Sequence, residues 1–76
     1  MIESKKTKRK KFLRLAQHRT RQAIHYIELL GNLSDKRYYD YDDEHINTIV
    51  EALKDNVNKM EKAFDEGQGK LWKFKL

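Results

Sequence analysis

A chain of 76 residues makes one domain at most, and one this short has little interior in which to bury apolar surface. It contains no cysteine, which excludes disulfides and thiolate zinc sites and leaves pairing with another chain as the expected support. Charged residues make up 38% of the chain and are segregated: residues 1–31 carry net +7, residues 32–66 net −5 and residues 67–76 net +3, so a polyanion partner for one end or attraction between the two halves is expected.

Residues 1–7 lack apolar periodicity and read as a disordered basic arm. From about Lys8 to Leu30 the residues Leu13, Ala16, Thr20, Ala23, Ile27 and Leu30 recur at alternating spacings of three and four, the seam of an amphipathic helix. Gly31 stands where a helix end favours a left-handed residue. The connection GNLSDKRYYDY is longer than a helical hairpin needs, and residues 34–39 are expected to form a short helical turn beside the capping pair Ser34-Asp35. Tyr38, Tyr39 and Tyr41 would then lie over one end of the hairpin.

The second helix is expected at about 43–66. Asp42 is a good N-cap, and Asp43 and Glu44 put negative charge on the first turn, where the helix dipole favours it. Tyr41 and Ile46 have the spacing of a hydrophobic staple. Ile46, Val50, Leu53, Val57, Met60 and Phe64 form the second seam, and Gly67 is the expected stop. Beyond it, Trp72, Phe74 and Leu76 alternate with Lys73 and Lys75, the pattern of a short half-buried strand in a tail spanning 67–76.

The fold class that follows is all-α: an antiparallel two-helix hairpin over residues 8–66 with a short C-terminal extended segment. Phe12, Leu15, Tyr26 and Leu29 form a further apolar row on the first helix, with Ile24 and Ile49 beside the main seams. One hairpin cannot cover all of these, so a homodimer closed as a four-helix bundle is expected.

The chemistry-bearing feature is the basic face. Lys10 or Lys11, Arg14, His18, Arg21 and His25 recur at intervals of three or four and form one stripe, which Lys5, Lys6, Lys8 and Arg9 extend as an arm. Together with Arg19, these cations suit the evenly spaced phosphates of a nucleic acid. The competing interpretation is a solvated face with a solubility tail. No helix-turn-helix, RNP pattern, KH loop or zinc finger is present, so the expected contacts are to the backbone rather than to base edges.

Catalysis is not expected: there is no cysteine, no phosphate-cradling glycine loop and no paired base and nucleophile. Asp40, Asp42, Asp43 and Glu44 are explained by their place at a helix start. His18, His25 and Glu28 lie within reach of one another on a helix but fall short of a ligand set, so neither a metal nor any other cofactor is expected. No run of about 18 apolar residues exists, and no apolar stretch of a secretory leader follows the basic start, so a cytoplasmic protein without membrane or small-molecule partners is expected.

The segments RLAQHRTRQAIHYIELLGNLS and YYDYDDEHINTIVEAL, within about residues 12–55, resemble small helical proteins of unassigned function carried on plasmids, phages and conjugative elements of Gram-positive bacteria. The shared pattern is R-L-A with a later Arg and Ala, then L-L-G-N-L-S, then Y-x-Y-x-D-E opening a second helix. The resemblance implies a mobile-element setting and a two-helix core, and it carries no functional residues over. The expected function is a nucleic-acid-associated accessory or regulatory protein. The alternative is a protein-interaction module, an adaptor or inhibitor presenting a helical hairpin to a protein partner.

Overall fold

The computed structural model describes residues 4–68. It is all-helical, with two α-helices joined through a short 3-10 helix and no strand among the described residues. The chain divides into two units, Met1–Asp40 and Tyr41–Leu76.

In the first unit, α1 spans Lys5–Gly31. It begins three residues before the expected Lys8, because Ser4 caps it. The Ser4 hydroxyl accepts the Thr7 backbone N–H at 3.2 Å and lies 2.9 Å from the Thr7 hydroxyl. The Ser4 carbonyl then accepts the Lys8 N–H at 3.0 Å, closing the first turn. Lys5, Lys6 and Thr7 are therefore helical, which corrects the expectation of a loose arm through residue 7. With 27 residues the helix is about 40 Å long.

Gly31 does not adopt the left-handed conformation its position suggested. Its φ of −61° and ψ of −30° are right-handed, and the chain tightens without reversal into the 3-10 helix Asn32–Ser34. The Asn32 N–H donates back to the Glu28 and Leu30 carbonyls. The expected turn over 34–39 is thus divided. The 3-10 helix lies before it, and a separate turn follows in which the Asp35 carbonyl accepts the N–H groups of Tyr38 and Tyr39, each at 3.1 Å.

That turn is held by Asp35. One carboxylate oxygen accepts the Arg37 backbone N–H at 2.9 Å, and the Arg37 guanidinium donates to both oxygens at 2.6–3.2 Å. Those side-chain bonds first, and the backbone bond second, hold the Asp35 carboxyl below its ordinary value of 3.8. A carboxyl so strengthened as an acid supports the turn fully above 3.8 and loses that support as the pH falls through its own lower value. The Arg37 side-chain N–H resonance is therefore expected to keep its bonded position at pH 4.5 and to move only in more strongly acid solution. Movement complete before pH 3.8 would contradict this arrangement.

In the second unit, α2 spans Asp43–Gly67. Asp42 is the N-cap, as its residue type implies, and its carboxylate accepts the His45 N–H at 3.0 Å. The reciprocal bond was not anticipated: the Asp42 N–H donates to His45 Nδ1 at 3.1 Å, so an imidazole fills the place that Glu or Gln usually takes in a capping box. Asp43 and Glu44 occupy the first turn. Asp42→Ala is expected to cost about 1 kcal/mol of α2 stability, read as faster hydrogen exchange at the His45 amide; unchanged exchange there would refute the cap.

Two polar side chains inside α2 satisfy themselves locally, Thr48 on the Glu44 carbonyl at 2.9 Å and Asn56 on the Ala52 carbonyl at 2.8 Å. Gly67 does not interrupt the helix but is its last residue. Gln68 follows as the C-cap in right-handed conformation, its N–H reaching the Phe64 carbonyl at 3.0 Å. The expected strand at Trp72 to Leu76 lies outside the described residues.

No described side chain is buried. In α2, Val57 is 52% exposed, Met60 53% and Phe64 50%. Leu53 is the one residue of that seam in the half-buried range. In α1 only Leu15 and Ala16 are half-buried, and Leu13 is 54% exposed. The seams exist as helix faces, and neither unit by itself buries an apolar residue among those described.

Candidate nucleic-acid interface

An unbroken helix from Lys5 sorts the ten candidate cations by position, because residues three and four apart share a face. Lys6, Lys10, Arg14, His18, Arg21 and His25 succeed one another at spacings of four, four, four, three and four, with Lys11 beside them. This is the basic row, and every member is exposed. It ends at Glu28, one turn beyond His25.

The remaining four candidates lie elsewhere. Lys5 and Arg9 stand eight and four residues before Leu13, so they continue the apolar seam towards the N-terminus instead of joining the basic row. Lys8 and Arg19 belong to the further apolar row, in the sequence Lys8, Phe12, Leu15, Arg19, Gln22, Tyr26, Leu29. A shallow groove lined by Lys5, Lys8, Arg9, Phe12 and Leu13 marks where these two mixed rows meet. The ten residues therefore form two groups, six on one face and four flanking an apolar surface.

Charge supports the distinction. Residues 5–31 hold nine Lys and Arg and a single acid, Glu28. Within the unit 1–40, Arg14 and Arg21 make no ion pair. A described ion pair in this unit involves other residues, Arg37 with Asp35. Cations spaced about one turn apart on a rigid rod, without an acid among them, present a linear field to a polyanion.

Sequence reasoning did not single out Arg37, and it gave Tyr38 only a place over one end of the hairpin. The Arg37 guanidinium carbon stands 5.5 Å from the centre of the Tyr38 ring, and Tyr38 is 74% exposed. The Asp-x-Arg spacing at 35–37 was the only signal for it. His45 was legible only as a residue three positions after a capping aspartate.

Among the described residues no three His, Asp or Glu side chains come together as metal ligands. No described helix is long and apolar enough to cross a membrane. Comparison with known family models, curated proteins and solved structures gives no match for this chain.

Proposed function

We propose that the protein is a small nucleic-acid-associated accessory or regulatory protein that contacts phosphates through the basic row of α1. The observation that carries this reading is the row itself: Lys6, Lys10, Lys11, Arg14, His18 and Arg21 share one exposed face of one continuous helix. Arg14 and Arg21 make no ion pair inside their unit. The contacts are to backbone phosphates, so binding is strongly salt-dependent and weakly sequence-dependent. The mobile-element setting rests on the resemblance of residues 12–55 alone.

The half-exposed apolar rows support a structural part of the same proposal. The seams of α1 and α2 pair as an antiparallel hairpin, and two chains bury the Phe12, Leu15, Tyr26 and Leu29 rows as a four-helix bundle. The basic rows are then left on the outside. Opposite net charge on the two helices, +8 over residues 5–31 and −4 over residues 43–67, favours their association.

Binding to duplex DNA, single-stranded DNA and RNA at several salt concentrations tests the function. The five fixed cations of the row predict a log–log salt slope of about −4.5 on duplex DNA near pH 8. Absence of binding at low salt would overturn it. A protein-interaction module would then be the better reading, favoured by Arg37 and Tyr38, residue types common at interface hot spots, exposed on an ordered turn.

A further inference from the structure

We propose that the turn after α1 carries a second contact to nucleic acid, in which the Tyr38 ring stacks on an unpaired base next to the duplex held by the basic row. This rests on the preceding reading of α1 and names its ligand more closely, a duplex with a single-stranded end. The observation is the geometry of the turn. The Asp35 carboxylate accepts from the Arg37 guanidinium through both oxygens at 2.6–3.2 Å, and the Asp35 carbonyl accepts the Tyr38 and Tyr39 N–H groups at 3.1 Å. The guanidinium carbon stands 5.5 Å from the centre of the Tyr38 ring. Backbone bonds and the guanidinium both fix the ring's position, yet it is 74% exposed, more than any other large apolar side chain among the described residues.

An aromatic ring fixed on a turn and open to solvent is a stacking platform, because every base presents a π-face. A ring already ordered before binding loses little side-chain freedom when the base arrives. Turn and basic row belong to one unit, Met1–Asp40. The row ends at His25, six residues and about 9 Å before the C-terminal end of α1 at Gly31, and the turn follows that end. The stacking contact therefore falls past the last member of the row, where the strands of a bound duplex would have to separate to offer a free base. A protein pocket is the other class of occupant for an exposed tyrosine. The nine Lys and Arg of α1 in the same unit favour nucleic acid.

The measurement is the affinity of the full chain, at one low salt concentration, for three DNA probes. They are a blunt duplex, the same duplex with a short thymine overhang, and that overhang with abasic sites in place of the thymines. The thymine overhang is expected to bind about tenfold tighter than the blunt duplex, within the range for one stacked base. The abasic overhang keeps the phosphates and is expected to lose that advantage. Tyr38→Ala is expected to lose it as well and Tyr38→Phe to keep it, both with helix content unchanged by circular dichroism, since Tyr38 lies outside α1. Equal affinity for blunt and overhang duplexes would overturn this inference and leave phosphate binding by the row standing. An advantage that survives in Tyr38→Ala or on the abasic overhang would also overturn it. Absence of binding to all three probes would instead overturn the proposed function and the inference with it.

Discussion

Replacing Arg14 and Arg21 together with glutamine is expected to flatten the duplex-binding salt slope from about −4.5 to about −2.7, since each phosphate contact contributes about −0.9. The two residues lie seven apart in the middle of the basic row. Glutamine keeps a long, helix-compatible side chain, so the loss is one of charge and not of helix. The weakening should be nearly uniform across DNA sequences, as for any phosphate contact. Replacing Lys5 and Arg9 in the same way is the informative contrast. They lie in line with Leu13 and off the row, so the proposal gives them the smaller effect on slope. An equal or larger effect from Lys5 and Arg9 would place the contact surface on the seam side of α1.

The second large effect concerns stability. Leu53→Asp is expected to cost about 3 kcal/mol or more if the seam of α2 is covered in the folded protein. It removes a large apolar side chain and puts a carboxylate where apolar surface should be buried. Leu53 lies near the middle of α2 and is its most sheltered seam residue. Most helical stability in proteins comes from packing of an amphipathic face, so loss of the covering face should appear as loss of far-ultraviolet helical signal. Light scattering completes the test: the unsubstituted chain is expected to have twice the mass of one chain, and the variant to have lost that association. Retained helicity and mass in the variant would show that the seam is not what holds the helices.

Both helices and their approximate ends were legible from the sequence, because spacing alone specifies a helix face. The six-residue seams and the Asp42 cap required no tertiary information. The details that differed are local competitions among turn chemistries. Gly31 was read as a left-handed stop, but a glycine also accepts right-handed geometry, and here the chain tightens into a 3-10 helix instead. Ser4 was hidden among lysines with no apolar periodicity, so the cap that brings Lys5 and Lys6 into the helix was missed.

That missed cap matters for the site. With residues 1–7 treated as a loose arm, every N-terminal cation was available to the basic face. In a helix from Lys5, Lys5 and Lys6 are committed to rows as well, Lys6 to the basic one and Lys5 to the apolar seam. The reciprocal bond of His45 was equally inaccessible, since capping boxes are recognised by Glu or Gln at that position.

Amide shift mapping of the full chain with a short DNA duplex at low salt tests the central claim most directly. The account predicts shifts concentrated at Lys10, Arg14, His18 and Arg21, fading as salt is raised, with amides across residues 43–67 little changed. Shifts confined to residues 35–67, or none at all where helicity is intact, would contradict it.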